Sequence, residues 1–372
     1  MSDDIPEPDR VEGAPHPRET VQLFGQDAAE ANFLEAYTQS RLHHGWLITG
    51  PKGIGKATLA WNIIRFLLAQ DADAGGMFDT PTDSLHIPED HSVFRRVAAL
   101  AEPGVFLARR PWDPKTKRLK TAITVEEIRK LKSFFTLSAA DGGWRIAIID
   151  AADEMNVAAE NALLKVLEEP PAKTLIMLIS HQPSKLLPTI RSRCRELRCQ
   201  TLVPEALEQV MTQAGFSAEG NVEALTELSG GSAGQAIDLL ANDGLPLYSD
   251  IISLIGSAPR MNRPRILALG DRCAGRGNEA RYDMTVRLTT LALSRLALSG
   301  AKGSSGAITG EAELAARLSA NPYQAREWAG LVQEITGRIA HARAVNLDPA
   351  QVILDTFLNI DATAGRASLL TA

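Results

Sequence analysis

The glycine-rich segment GPKGIGK, residues 50–56, constrains the fold of this chain more than any other feature. An apolar run, HGWLIT, precedes it, and an apolar, helix-like run, ATLAWNIIRFLLA, follows it. A strand, a glycine loop and a helix in this order form a P-loop unit, in which backbone N–H groups bind phosphate oxygens. Gly50, Gly55 and Lys56 match the pattern G-x-x-x-x-G-K-[ST], and Gly53 permits close approach of the backbone. The sequence therefore predicts a phosphate-binding loop at the end of a strand.

The loop departs from the pattern at its last position. Ala57 stands where a Ser or Thr hydroxyl ligates Mg²⁺ in P-loop enzymes. Thr58 comes next, but on a helix it is rotated by about 100° from position 57, so we do not expect it to substitute. We therefore interpret the loop as a degenerate nucleotide site, and ATP or ADP is the cofactor class that it could still hold.

A second phosphate-site pattern, RIAIIDAAD, covers residues 145–153. An apolar strand that ends in an acidic residue is the Walker B pattern, in which Asp150 would hold Mg²⁺ through water. In hydrolytic members of the wider AAA+ class the next residue is a Glu that polarises the attacking water, whereas here it is Ala151. A positioned base typically contributes about 10²–10⁴ in rate. Asp153 and Glu154 follow too late to replace it, so the sequence argues against hydrolysis.

The rest of the chain changes character near residue 200. Short apolar runs at 46–49, 105–108, 145–150 and 174–180 alternate with helical patterns, and this alternation predicts an α/β domain with a parallel sheet. Beyond residue 200 only helical patterns remain, interrupted by a Gly/Ser-rich break at 300–310. The fold class that we predict is α/β plus all-α.

Composition excludes several classes of protein. The chain has 372 residues, 45% hydrophobic content, three cysteines and a formal net charge of -6. Three cysteines are too few for a disulfide framework, so we expect a reducing, cytoplasmic environment. The start of the chain, residues 1–19, is acidic and proline-rich without an apolar core, and we interpret it as a disordered leader rather than a signal peptide.

The block ENALLKVLEEPP at 160–171, followed by LPTIRSRC at 187–194, identifies a family. It resembles the AAA+ clamp-loader subunits of bacterial DNA polymerase III. The resemblance extends upstream through LFGQDAA and ITVEEIRKLKSFF and covers residues 20 to 240 well. It implies a RecA-like AAA+ P-loop domain at 20–200, a small helical lid domain at 201–244 and a C-terminal helical collar domain at 245–372.

The triplet Ser192-Arg193-Cys194 carries the most specific implication of this resemblance. In the family its arginine is a finger placed in trans, which reaches the ATP bound by a neighbouring subunit. An arginine finger neutralises charge on the transferring phosphoryl group and contributes about 10³–10⁵ in rate. The alternative is an exposed arginine in a polar loop.

Three positions of this chain differ from the hydrolysing members of the family: Ala57, Ala151 and Gly234. The last of these lies in GGSAGQAIDLL, where the motor subunits carry an arginine. The resemblance therefore implies a stator without its own ATPase activity, placed in a pentamer with the motor (gamma/tau) subunits and delta. That assembly, part of the DNA polymerase III holoenzyme, loads the sliding clamp onto primed DNA.

Two other functions stay open at this point. An active motor subunit of the same loader would hydrolyse ATP itself, and the three altered positions speak against it. A P-loop phosphotransferase acting on a small molecule would need a metal-binding hydroxyl and a substrate pocket. It gives no account of the SRC triplet or of the C-terminal helices.

Two further stretches bear on metal binding and on DNA binding. Many relatives carry a four-cysteine zinc module in the region of residues 67–108, but this chain has no cysteine there, and His86 and His91 remain among acids, so we expect no zinc or other metal. Residues 109–132 carry a local net charge of +6 and Trp112. They could contact DNA phosphates, or they could form a solvated loop and helix face.

Overall fold

A computed structural model describes residues 6–73, 83–136, 143–303 and 306–368. Contacts divide the chain into two compact units. The first comprises residues 1–219 with 230–237, and the second comprises 220–229 with 238–372. The limits of the three domains stay predictions, because these units group parts of the proposed lid with each of its neighbours.

The first unit is an α/β layer structure. Its strands are β1 (Gly45–Thr49), β2 (Val105–Ala108), β3 (Trp112–Asp113), β4 (Arg118–Leu119), β5 (Arg145–Asp150), β6 (Thr174–Ser180) and β7 (Arg195–Arg198). Its helices are α1 (Asp27–Thr38), α2 (Lys56–Asp73), α3 (Ser92–Ala98), α4 (Val125–Thr136), α5 (Val157–Glu168), α6 (Pro188–Arg191) and α7 (Pro204–Gln213).

Five strands form one parallel sheet in the order β2-β5-β6-β1-β7. The four strands predicted from apolar runs are confirmed, and β1 and β6 are buried along their whole length. The strand β7 was missed because only Leu197 of its sequence, RELR, is buried. The two-stranded antiparallel ribbon β3–β4 was missed as well, since its strands are two residues long.

Alternate residues of the strands supply two cores, one on each face of the sheet. On one face, Trp46 and Ile48 of β1 pack with residues of α1, α2 and α3. On the other, Leu47 packs with residues of α4, α5 and α6. This is the expected consequence of the two-residue period of a strand in a sheet covered by helices on both faces.

The N-terminal segment, defined here as residues 6–19, differs from its prediction as a disordered leader. It consists of turns, and its Ala14 and His16 are buried. Its acidic residues Glu7 and Asp9 pair with Arg109, which follows β2, at 2.9 and 2.6 Å, and Glu7 also pairs with Arg18 of the segment itself at 2.8 Å. Composition suggested a solvated stretch because these charges looked unpaired in the sequence. Residues 1–5 lie outside the described residues.

The second unit is helical. It contains α8 (Val222–Ser229), α10 (Gly244–Gly256), α11 (Arg263–Cys273), α12 (Glu279–Lys302), α13 (Glu311–Leu318), α14 (Pro322–Ala344) and α15 (Pro349–Ser368), while α9 (Ala233–Ala241) begins in the first unit. Helix α12 packs against α14, and α11 packs against α15. Trp328 of α14 is fully buried and donates from Nε1 to the carbonyl of Leu318 at 2.7 Å.

The predicted α/β plus all-α class is confirmed. Among the described residues, no helix combines the length and the apolar character that crossing a bilayer requires.

Candidate functional site

The predicted nucleotide-site residues gather at the carboxyl edge of the sheet. Gly50 follows β1 and Asp150 ends β5, and His181, which was not predicted, follows β6. Arg109 follows β2 in the same way. Because parallel strands place all their carboxyl ends at one edge, these residues from distant parts of the chain lie together there, where open α/β sheets bind ligands.

The P-loop has the backbone that its glycines predict. The φ angles of Gly50, Gly53 and Gly55 are +139°, +79° and +99°, values that favour glycine. A Cβ on Gly50 would lie 2.8 Å from the carbonyl oxygen of Cys199, so the loop is packed tightly against the chain that leaves β7. These three glycines are therefore required by the local fold whether or not a phosphate binds.

Lys56 is 3% exposed and turned back into the loop. Its ammonium group donates to the carbonyl oxygen of Gly50 at 2.7 Å and to that of Pro51. Burial lowers the pKa of Lys56 to about 8, although the nearby Cys199 and Asp150 act in the opposite direction. The cation that would contact the β and γ phosphates is thus bound to backbone carbonyls of its own loop.

The positions that follow the lysine offer little for a metal. The methyl group of Ala57 packs on the hydrophobic core of the first unit, and Thr58 is half-buried one position further along α2. Among the described residues no group of three or more His, Cys, Asp or Glu side chains is placed to hold a metal ion. The loop therefore lacks the hydroxyl that would ligate Mg²⁺ beside a nucleotide phosphate.

Asp150 is buried at the end of β5, with 7% exposure. Burial raises the pKa of this carboxyl group to about 7, and the negative charge of Asp9 raises it further, while Lys56 lowers it. Near neutral pH a large fraction of Asp150 is therefore protonated, which weakens it as a metal ligand.

The residues after Asp150 have structural partners. Ala151 is 5% exposed, and its carbonyl accepts from the N–H of Glu154 at 2.9 Å. The carboxylate of Asp153 accepts from the backbone N–H of His181 at 2.8 Å, which joins the ends of β5 and β6. Asp153 is thus engaged by the backbone that follows β6.

A second glycine-rich segment lies directly on the P-loop. The N–H of Gly234 donates to the carbonyl of Gly53 at 3.0 Å, and the Ser232 hydroxyl donates to the carbonyl of Lys52 at 2.8 Å. A Cβ on Gly234 would lie 3.1 Å from the Cα of Gly53 and 3.3 Å from Val11. The position where motor subunits carry an arginine is thus a point of close backbone contact in this chain.

Three residues at this edge escaped the sequence analysis: Asp9, Arg109 and His181. Asp9 and Arg109 pair at 2.6 Å although one hundred residues separate them. Burial lowers the pKa of His181 to about 4, and the charge of Lys56 acts in the same direction, so His181 is neutral. No local pattern could have found them, because each is placed by the strand that precedes it or by the N-terminal segment.

The SRC triplet lies at the opposite edge of the sheet. Arg193 and Cys194 lie between α6 and the start of β7, and a Cβ on Gly45, the first residue of β1, would lie 3.1 Å from the Arg193 carbonyl oxygen. The P-loop leaves the other end of β1, so the length of five strand residues, roughly 15 Å, separates the two sites. Arg193 is therefore remote from the P-loop of its own chain.

The three residues of the triplet have different surroundings. The guanidinium of Arg193 pairs with Glu168 at 2.8 Å and donates to the carbonyl of Thr189 at 3.0 Å, and the Arg193 side chain is 37% exposed. The Ser192 hydroxyl donates to the same Thr189 carbonyl at 3.1 Å. Burial raises the pKa of the Cys194 thiol to about 12, so it is a packing group beside β1 rather than a nucleophile.

The basic stretch at 109–132 is partly neutralised. Arg109 pairs with the N-terminal segment, Arg110 with Glu154 at 2.7 Å, and Lys130 with Glu127 at 2.7 Å. The other cations of the stretch lie mostly on the β3–β4 ribbon and on α4. Their contact with DNA stays an open prediction.

The histidines of the zinc-module region play separate roles. The Nδ1 atom of His91 accepts from the N–H of Val93 and caps α3, whereas His86 is exposed. Residues 74–82 of this region lie outside the described residues.

Comparison with known proteins identifies relatives of the first unit. A family model described as DNA polymerase III, delta subunit, matches residues 25–203. The DNA polymerase III subunit delta' of Pseudomonas aeruginosa is 37% identical over 192 residues, which are 51% of this chain and 53% of that protein. The subunit gamma/tau of Mycobacterium tuberculosis is 27% identical over 224 residues, 58% of this chain and 35% of that protein.

A solved structure of a gamma subunit-related protein from Thermotoga maritima covers 89% of this chain and 99% of its own, with 15% identity and a TM-score of 0.36. The chain spans about half the length of the curated delta' relatives that it matches first.

Proposed function

We propose that this chain is a non-hydrolysing stator of a DNA polymerase III clamp loader. The proposal starts from the match of residues 25–203 to the family model of the delta subunit and from the 37% identity to a delta' subunit. Its partners would be the gamma/tau motor subunits and delta in a cytoplasmic pentamer. The assembled complex would load the sliding clamp onto primed DNA.

The nucleotide site supports the stator role because it lacks the groups that hydrolysis needs. Ala57 supplies no metal-binding hydroxyl, and Ala151 supplies no base. The ammonium group of Lys56 is bound by the carbonyls of Gly50 and Pro51. If ATP or ADP is held here, it is held without the chemistry that turns it over.

The observation that carries the proposal is the position of Arg193. It lies at the amino edge of the sheet, a strand length away from the P-loop of its own chain, and its side chain is 37% exposed. A cation in that place cannot serve the chain's own site, but it can enter a site presented by a neighbouring subunit. There it would neutralise charge that develops on the γ-phosphoryl group.

Glu168 and the Thr189 carbonyl hold the guanidinium at this edge before it meets a phosphate. A surface pair of this kind contributes only about 0–1 kcal/mol, so exchanging the carboxylate for a phosphate is energetically easy. Ser192 and Cys194 would fix the backbone of the loop that carries the arginine.

The test is an ATPase assay with sliding clamp and primed DNA present. Three samples are compared: this chain alone, the motor subunits with delta, and the full mixture. The stator role predicts no ATP turnover by this chain alone. It also predicts a higher ATPase rate in the full mixture than in the motor subunits with delta.

The same mixture containing Arg193→Ala should lose the added rate, while Arg191→Ala, two residues earlier and exposed, should retain it. An unchanged rate with Arg193→Ala would exclude the finger role. Motor-like turnover by the chain alone would instead favour an active motor subunit.

A further inference from the structure

The N-terminal segment, residues 6–19, crosses the carboxyl edge of the sheet. The side chain of Asp9 is 3% exposed, and its carboxylate accepts from Nη1 of Arg109 at 2.6 Å and from Nε2 of His16 at 3.0 Å. Arg109 directly follows β2, so Asp9 lies at the edge where P-loop proteins bind phosphates.

Arg109 holds two carboxylates of the segment at once. Its Nη1 contacts Asp9 and its Nη2 contacts Glu7 at 2.9 Å, while Arg18 contacts the same Glu7 oxygen at 2.8 Å. A guanidinium that engages two anionic oxygens with two of its nitrogens is the arrangement that also binds phosphate groups. The acidic segment thus supplies the kind of oxygen ligand that a nucleotide would otherwise bring.

A buried histidine fixes the segment from within. The Nδ1 atom of His16 accepts from the backbone N–H of Arg18 at 3.1 Å, so Nε2 carries the proton that it donates to Asp9. The imidazole ring is fully buried and makes an edge-to-face contact with Trp61 of α2, the helix that the P-loop opens. The segment is therefore packed on the P-loop helix as well as paired at the sheet edge.

The end of the segment is tied to the same helix. Arg65 of α2 is 1% exposed and donates to the carbonyls of Arg18 at 2.9 Å and Thr20 at 2.7 Å. Its guanidinium also lies 4.5 Å from the centre of the Phe94 ring. These contacts make the path of the segment over the sheet edge specific.

The middle of the segment reaches the layer that covers the P-loop. Val11 approaches Gly234, and the N–H of Gly234 donates to the carbonyl of Gly53 at 3.0 Å. Val11 and Gly53 thus both lie against Gly234. A nucleotide whose phosphates approached the loop would meet these residues and the negative charges of Glu7 and Asp9.

We propose that residues 7–14 act as an internal occupant of the nucleotide site, with Glu7 and Asp9 bound by Arg109, and that ATP or ADP binds only when this segment is displaced. The inference deepens the proposed function and rests on it, because it names what fills the degenerate site of the stator. Only molecules whose segment is released can bind nucleotide. The apparent affinity is therefore the intrinsic affinity multiplied by the fraction of molecules in which the segment is released.

The test is a titration of the full chain with a fluorescent ATP analogue, alone and with Mg²⁺. The double variant Glu7→Gln/Asp9→Asn removes both carboxylates from Arg109, and Glu12→Gln, an exposed residue of the same segment, is the matched control. We expect the double variant to bind the analogue at least tenfold more tightly than the wild type, with Glu12→Gln unchanged. Hydrogen exchange of residues 6–19 reports release of the segment independently.

If the double variant unfolds, Arg109→Gln breaks the same ion pairs from the other side and is titrated instead. Equal affinities of wild type and a variant whose segment exchanges freely would overturn the proposal, as would ATP binding to the wild type without faster exchange at residues 6–19. These readouts use the chain alone, so they are independent of the loader assay that tests Arg193.

Discussion

The guanidinium of Arg193 lies 2.8 Å from the carboxylate of Glu168, which closes α5 at the amino edge of the sheet. Both side chains are partly exposed, at 37% and 48% respectively. The pair joins the end of the ENALLKVLEEPP block to the SRC triplet, so the two most specific parts of the sequence are in direct contact in the fold.

Removing the acidic partner should change little in the isolated chain. Because exposed ion pairs contribute about 0–1 kcal/mol, Glu168→Gln should lower the free energy of unfolding by less than about 1 kcal/mol, measured by urea denaturation. In the loader, Glu168→Gln should keep the ATPase rate within about a factor of three of wild type, since the arginine itself is retained. A loss as large as that of Arg193→Ala would show that Glu168 orients the arginine in the assembled complex.

Restoring the two missing catalytic side chains should not restore hydrolysis. The double variant Ala57→Ser/Ala151→Glu still lacks an arginine at Gly234, and its new Glu replaces an alanine that is only 5% exposed. We expect the ATP turnover of this variant alone to stay at the background level of the wild type, measured by phosphate release. Rapid turnover would mean that the loop is competent and that the stator assignment is wrong.

The second glycine segment contacts the P-loop at Gly53, so an alanine at this position should lower stability more than an alanine at a glycine in open space. Gly53 and Gly215 have similar φ angles, +79° and +84°, but a Cβ on Gly53 would lie 2.5 Å from the Ser232 hydroxyl, whereas a Cβ on Gly215 would have no neighbour within 4 Å. Both alanine variants incur the conformational penalty of a positive φ, about 1 kcal/mol.

Gly53→Ala should destabilise the chain by about 1–3 kcal/mol more than Gly215→Ala, by urea denaturation, because it also adds the steric clash. If the two variants lose the same unfolding free energy, the Ser232 side chain can move away at no energetic cost, and the contact on the P-loop is loose.

Because Asp150 is buried, replacing it should raise the free energy of unfolding by an amount that depends on pH. The folded state raises the pKa of Asp150 from 3.8 to about 7, so ionisation opposes folding, and this loss of stability develops as pH rises from about 4 to 7. Asp150→Asn should therefore match the wild type near pH 4 and exceed it in unfolding free energy by on the order of 2 kcal/mol at pH 8. A difference that is independent of pH would contradict the raised pKa.

The buried carboxylate of Glu311 should stabilise the second unit through its hydrogen bonds. Glu311 is 5% exposed and accepts from the Tyr248 hydroxyl at 2.8 Å, from Arg295 at 2.6 Å and from the backbone N–H of Ala307 at 2.6 Å. Glu311→Gln leaves Arg295 without this buried charge and should cost about 2–4 kcal/mol in the free energy of unfolding. Glu313→Gln, exposed on the same helix, is the control and should cost less than about 0.5 kcal/mol.

The sequence by itself determined the features of this protein that follow from residue patterns over short stretches of the chain. Four of the five sheet strands follow from apolar runs, because a strand covered on both faces must be apolar throughout. The path of the P-loop follows from Gly50, Gly53 and Gly55, since only glycine adopts their φ angles at low cost. The sequence also identified Ala57 and Ala151 as altered positions, because the P-loop and Walker B patterns assign each position a chemical role.

Only the tertiary structure decided which distant residues share the site and which edge of the sheet each one occupies. Asp9 reaches Arg109 across one hundred residues, and Gly234 reaches Gly53 across an even longer stretch of chain, so no pattern along the chain records either contact. A segment that composition assigns to solvent is packed because its carboxylates pair with the half-buried Arg109, and such pairing depends on three-dimensional position. For the same reason, the separation of Arg193 from the P-loop of its own chain follows from the direction of β1 rather than from any motif.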